Sequence, residues 1–123
     1  YINNNIPKDE YMIIMGDFND YASNESLEDV LVKDDLVNLM ATDLVTDLGS
    51  YNYKGTWNFI DHMIVSKNSS IYQVLSAGSF SKEFMLYEKQ KGDKYPSRTY
   101  GGSVWYGGFS DHLPVYCQLS FTF

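Results

Sequence analysis

Three short segments place acid, amide and imidazole groups where they could act together. In Gly16-Asp17-Phe18-Asn19-Asp20, an extended backbone puts Asp17 and Asn19 on one side, because side chains two apart in a strand share a face. A carboxylate there can hold Mg²⁺ or orient a water, and a neighbouring amide can donate to a phosphoryl oxygen without adding negative charge. The plainer reading is a turn, since Gly, Asp and Asn are all turn formers. In Phe59-Ile60-Asp61-His62-Met63-Ile64-Val65, strand alternation groups Asp61 with Phe59, Met63 and Val65, and His62 with Ile60 and Ile64. A carboxylate in apolar company needs a donor, and His112 and Arg98 are the two candidates. His62 reads as a satisfied core or surface histidine rather than a ligand. In Ser110-Asp111-His112-Leu113-Pro114-Val115, an acid and an imidazole stand just before a final apolar run. Histidine is the side chain best suited to move protons near neutral pH. A bond from one ring nitrogen to Asp61 would fix its tautomer and leave the other nitrogen facing a substrate. The plainer reading is an Asp-His loop with Pro114 as a strand-edge stop.

The elements around these segments must deliver them. Tyr11-Met12-Ile13-Ile14-Met15 is a short apolar run ended by Gly16, which predicts a strand buried on both faces that brings Asp17 to its end. Ser26 followed by Asp29 has the spacing of a helix start, so a scaffold helix is expected from Ser26. Residues 36–50 have too little periodicity for more than a short element and loops. Phe59–Ser66 and Ser70–Ala77 read as two strands joined by Lys67-Asn68-Ser69, a composition suited to an antiparallel hairpin. Lys82–Glu88 reads as a helix, residues 88–109 as a long loop rich in Gly, Lys, Tyr and Trp, and Val115–Phe123 as a closing strand. Strands with interspersed short helices favour a mixed α and β architecture.

The composition narrows what such a site could serve. With 123 residues the chain forms one folding unit or a piece of one. Tyr1 opens it without an initiator Met, and residues 3–10 read as solvated loop, so a fragment is expected. No apolar run approaches the roughly 20 residues of a membrane-spanning helix, which predicts a soluble chain. The compartment stays open, since a signal upstream of Tyr1 would make the protein periplasmic or secreted. Cys117 is the only cysteine, which excludes an internal disulfide and a cysteine-cluster zinc site. The net charge is −7, and residues 1–35 hold nine acids against Lys8 and Lys33. That segment supplies no basic surface for sequence-independent DNA binding.

In their order, spacing and strand contexts the three segments together resemble the C-terminal half of the endonuclease/exonuclease/phosphatase superfamily. This deoxyribonuclease I-like group includes abasic-site endonucleases, inositol polyphosphate phosphatases and neutral sphingomyelinases. Gly16-Asp17-Phe18-Asn19 looks like the family's metal-and-water motif. Trp57-Asn58-Phe59-Ile60-Asp61-His62 looks like the strand whose aspartate orients the catalytic histidine, and Ser110-Asp111-His112 like the motif that bears it. The segment from Tyr95 to Phe109 is similar to a branch common in environmental and gut bacteria.

The resemblance implies an α+β fold, the C-terminal half of a four-layer α/β/β/α sandwich with mostly antiparallel sheets, with residues 1–123 the C-terminal part of one domain whose N-terminal half is absent. It implies hydrolysis of phosphate esters with Mg²⁺ or Mn²⁺, phosphodiesters (nuclease-like) slightly ahead of phosphomonoesters. Asp17 would position the attacking water and approach the metal, Asn19 would hydrogen-bond the phosphoryl group, Asp111 would approach the metal, and His112, paired to Asp61, would contact or protonate the phosphate. The family's metal-binding glutamate, an asparagine and a second histidine belong to the first half of its domain, so this chain alone should bind Mg²⁺ weakly and turn over poorly. Arg98 can make a two-pronged phosphate contact and Tyr100 and Trp105 can stack on a ring; Arg98 can equally clamp its own loop. The competing reading is a non-catalytic module that keeps the sandwich and uses the Tyr/Trp-rich loop to hold a carbohydrate or protein.

Overall fold

The structure, a computed structural model, describes residues 10–33, 35–67 and 70–122. In chain order its strands are β1 (Ile13–Asp17), β2 (Leu36–Asn38), β3 (Tyr51–Tyr53), β4 (Thr56–Asn58), β5 (Asp61–Ser66), β6 (Tyr72–Ser79), β7 (Leu86–Gln90), β8 (Asp93–Pro96), β9 (Tyr100–Gly101), β10 (Val104–Trp105) and β11 (Val115–Phe121). Every ladder among them is antiparallel. Among the described residues, helical structure is confined to a six-residue π-helical segment, Ser26–Leu31, and two 3₁₀ turns, Leu39–Ala41 and Glu83–Met85.

Strand β5 organises the molecule. It lies between β1 and β2 in a three-stranded sheet, and its alternation feeds two hydrophobic clusters. Met63 and Val65 pack with Leu39, Met40 and Ala77, against Val74 of β6 and Val115 and Cys117 of β11. Ile64 points the other way, onto Leu27 of the π-helical segment, Leu36, Ile14 and Phe18. The result is a helical layer, a sheet and a second sheet, β6 with β11, a mixed fold in agreement with the expected sandwich. Fully burying an apolar side chain of this size contributes about 1.5–3 kcal/mol, and β5 carries three consecutive buried ones, Met63, Ile64 and Val65.

Several local expectations are overturned. The Tyr11–Met15 run does form a strand, but β1 is an edge with an exposed face, Ile13 and Met15 being 43% and 63% exposed. Those residues oppose Val65 and Met63 across the ladder, but only Val65 and Met63 belong to the buried cluster shared with the second sheet. Ser26 starts a π-helical segment rather than capping a helix, because its hydroxyl donates to the Asp20 carboxylate. The proposed hairpin of residues 59–77 does not exist. Both edges of β5 are occupied by β1 and β2, so β6 pairs with β11 instead. Asn68 and Ser69, and the end of the closing strand at Phe123, lie outside the described residues.

The expected helix at Lys82–Glu88 is a single 3₁₀ turn running into β7, and the expected long loop holds the hairpins β7–β8 and β9–β10. Residues 51–58, which patterning had not assigned, form the hairpin β3–β4. Its two-residue loop is Lys54-Gly55, with φ of 52° and 91°, the pairing of left-handed residues whose twist matches flanking strands. Among the described residues no helix is long and apolar enough to cross a membrane.

Candidate active site

The site forms where three chain segments end at one edge of the sandwich. Asp17 is the last residue of β1 and Asp61 the first of β5, and the register sets them directly opposite. Two carboxylates paired across strands repel unless a cation or a donor lies between them. His112 supplies a donor: its Nδ1–H donates to Asp61 Oδ2 at 2.7 Å. Both side chains are partly buried, so the bond is shielded from competing water and holds the ring with Nε2 available. One donor atom from each of Asp17, Asp61 and His112 lies within 4.8 Å of the others. Two carboxylates and an imidazole so grouped could hold a divalent metal ion, and the like negative charges of Asp17 and Asp61, facing each other across the strands, favour one.

Each member is braced by its own segment. The chain leaves β1 sharply at Asn19, which adopts φ 52°, a left-handed conformation that Asn tolerates better than most residues. The Asn19 backbone N–H then donates to Asp17 Oδ1 at 2.8 Å. The expected extended Asp17-Phe18-Asn19 geometry is therefore replaced by an Asx-type turn, which restrains the Asp17 carboxylate while Asn19 stays exposed. This loop is latched from below by His62, which is fully buried. Its Nε2–H donates to the Asp20 carbonyl at 2.9 Å, and Asn38 Nδ2 donates to its Nδ1 at 3.0 Å. His62 is thus a satisfied core histidine with one defined tautomer.

The histidine segment is held similarly. Ser110 Oγ accepts from the His112 backbone N–H at 3.1 Å, and the Tyr51 ring packs on the imidazole at a centroid distance of 4.9 Å. Beside the pair is a cavity of about 280 Å³ lined by Asp61, Met85, Phe109, Ser110, His112, Leu113, Pro114 and Val115. Its walls are largely apolar, and the polar groups gather at the Asp61–His112 end.

The other residues singled out in the sequence are distributed differently. Asp111 is exposed and is not in the Asp17–Asp61–His112 group. Arg98, Tyr100 and Trp105 do not line the cavity. They belong to an excursion whose base is closed where the Phe109 and Ser110 N–H groups donate to the Ser97 carbonyl, two residues before His112. Tyr100 and Trp105 are 59% and 67% exposed. Cys117 packs against the core cluster, and burial pushes its thiol above the usual range. Sequence reasoning missed Tyr51 and Ser50, the residue before it. The hairpin signal that could have drawn attention to Tyr51 is Lys54-Gly55 within alternating aromatic residues; nothing local marks Ser50.

Comparison with known proteins agrees with this geometry. The sequence family described as the endonuclease/exonuclease/phosphatase family matches residues 2–120. No curated protein and no solved structure matches the chain.

Proposed function

Because the chain belongs to the endonuclease/exonuclease/phosphatase family, we propose that it carries part of the active site of a Mg²⁺- or Mn²⁺-dependent phosphoesterase, acting on phosphodiesters ahead of phosphomonoesters. The observation that carries this reading is the convergence of Asp17, Asp61 and His112 within 4.8 Å. Asp17 and Asp61 would hold the ion, since hard cations of this size take one or two carboxylates and keep several waters. Bound there, the ion would neutralise charge on the phosphoryl oxygens.

The chain's own residues then supply positioning. Asp17 accepts a hydrogen bond from the water that attacks phosphorus in line with the departing ester oxygen. The Asn19 side-chain amide donates to a phosphoryl oxygen, and Asp111 would help to hold the metal. Asp61 holds His112 so that Nε2 contacts the phosphate. Arg98, Tyr100 and Trp105 receive the rest of the substrate, the guanidinium on a phosphate and the rings on a planar group. Among the described residues the metal-holding group contains no glutamate, and we propose that the rest of the domain provides it.

The test is hydrolysis of bis-p-nitrophenyl phosphate and p-nitrophenyl phosphate by the full-length protein with Mg²⁺ or Mn²⁺. His112→Ala and Asp17→Ala should each lower kcat by about a hundredfold to ten-thousandfold, and the diester should be preferred. Absence of metal-dependent turnover on these esters and on DNA and RNA would move the assignment to a binding module.

A further inference from the structure

The Asp61–His112 bond joins segments far apart in sequence, and it needs something to hold both at the right separation. Ser50 is placed to do so. It is fully buried and its backbone N–H donates to the Asn58 carbonyl at 3.0 Å. Its hydroxyl oxygen accepts from the Ile60 and Asp61 backbone N–H groups, each at 3.3 Å. On the other side its carbonyl accepts from the Leu113 N–H at 2.7 Å. One residue therefore grips the backbone of Asp61 itself and the residue immediately after His112. The next residue, Tyr51, packs on the His112 ring.

The approach that allows this is tight. Gly49 has φ 149°, and a Cβ there would lie 2.6 Å from the Asn58 carbonyl oxygen. Only glycine lets Ser50 come so close to the strand that leads to Asp61.

We infer that Ser50 is a positioning residue, whose hydroxyl fixes the Asp61 backbone so that the carboxylate meets His112 Nδ1–H. Removing the oxygen leaves two N–H donors without their acceptor around a fully buried residue, and a lost acceptor of this kind is made up by movement of the chain that bears the donors. The backbone link to Leu113 survives that change, so the disturbance falls on Asp61. An imidazole that loses its carboxylate partner has no reason to keep the proton on Nδ1. The kinetic consequence rests on the phosphoesterase reading; the effect on the tautomer does not.

The experiment uses the full-length protein with Ser50→Ala and Ser50→Thr, at a fixed pH at which the imidazole is neutral. The ¹⁵N shifts of the His112 ring, read through its carbon-bound protons and assigned by their loss in His112→Ala, report the tautomer. Wild type and Ser50→Thr, which keeps the hydroxyl, should show Nδ1–H; Ser50→Ala should shift toward Nε2–H. On bis-p-nitrophenyl phosphate, Ser50→Ala should lower kcat by about tenfold to a hundredfold with KM within about threefold, and Ser50→Thr should recover most of it. If Ser50→Ala does not fold, Ser50→Cys, close in size but a weak acceptor, replaces it with the same expected tautomer shift. A wild type without the Nδ1–H tautomer, or a folded Ala or Cys variant that keeps it, overturns the inference whatever the kinetics. A wild type with the expected tautomer but no turnover sinks the phosphoesterase reading alone.

Discussion

Asp61 and Asp20 show how one residue type is put to two uses within the same edge of the sandwich. Asp61 is partly buried and answered by an imidazole, so its charge serves to orient a proton-carrying ring. The Asp20 carboxylate serves local structure: Ser26 and Asn24 donate to it and hold its carboxyl below the usual carboxylate range. A carboxyl whose folded pKa is depressed stabilises the fold above its unfolded pKa, and that contribution disappears as pH falls through the folded value. Wild type should therefore exceed Asp20→Ala in stability at neutral pH. The gap should close as pH falls below the ordinary aspartate range, which urea midpoints measured at a series of pH values would show. The effect should centre on Ser26–Leu31, whose first residue Asp20 holds, and amide protection factors there, referenced to the intrinsic exchange rate at each pH, should fall with acidity.

Among the elements, the hairpin β3–β4 and the residues just before it matter more than their length suggests. Gly49 brings Ser50 against the chain entering β5, and Lys54-Gly55 closes the hairpin that carries Tyr51 to His112. Buried Asn52 adds a tie, accepting from the Gly55 N–H and donating to the Lys94 carbonyl. Gly49→Ala should lower stability by about 1–3 kcal/mol, since it combines an unfavourable φ with a Cβ driven into backbone. A fall in the urea midpoint at unchanged m-value would confirm this. Strand β1 was legible from Tyr11–Met15 as an apolar run ended by Gly16. Its exposure was not, because an apolar run reads the same whether one side is covered or both.

At the scale of the whole molecule, the two hydrophobic clusters share β5, Met63 and Val65 serving one and Ile64 the other. Neither cluster can lose its packing without disturbing the strand that the other needs. Ile64→Ala should cost about 2–5 kcal/mol, and tryptophan fluorescence and far-ultraviolet circular dichroism should still report one coincident transition. Separate transitions would show that the helical layer and the second sheet melt independently. The same shared strand explains the failure of the expected hairpin. A strand paired on both edges cannot also pair with its successor, so the chain crosses to the second sheet to form β6 against β11.

Sequence alone was sufficient for the mixed fold, the strands β1, β5, β6 and β11, and the three motifs whose residues include Asp17, Asp61 and His112. Those features follow from local patterning: apolar runs, alternation, and the chemistry of side chains a few residues apart. Tertiary structure decided which strands pair, which face of β1 is bare, where Asp111 and the Arg98 excursion lie, and which residue grips both halves of the Asp61–His112 pair. Each of these depends on segments distant along the chain competing for the same edge or the same hydrogen bond. Ser50 is the clearest case, since beside Gly49 it looks like an ordinary turn residue, and only the meeting of β5 with the segment before β11 gives its hydroxyl and carbonyl their partners.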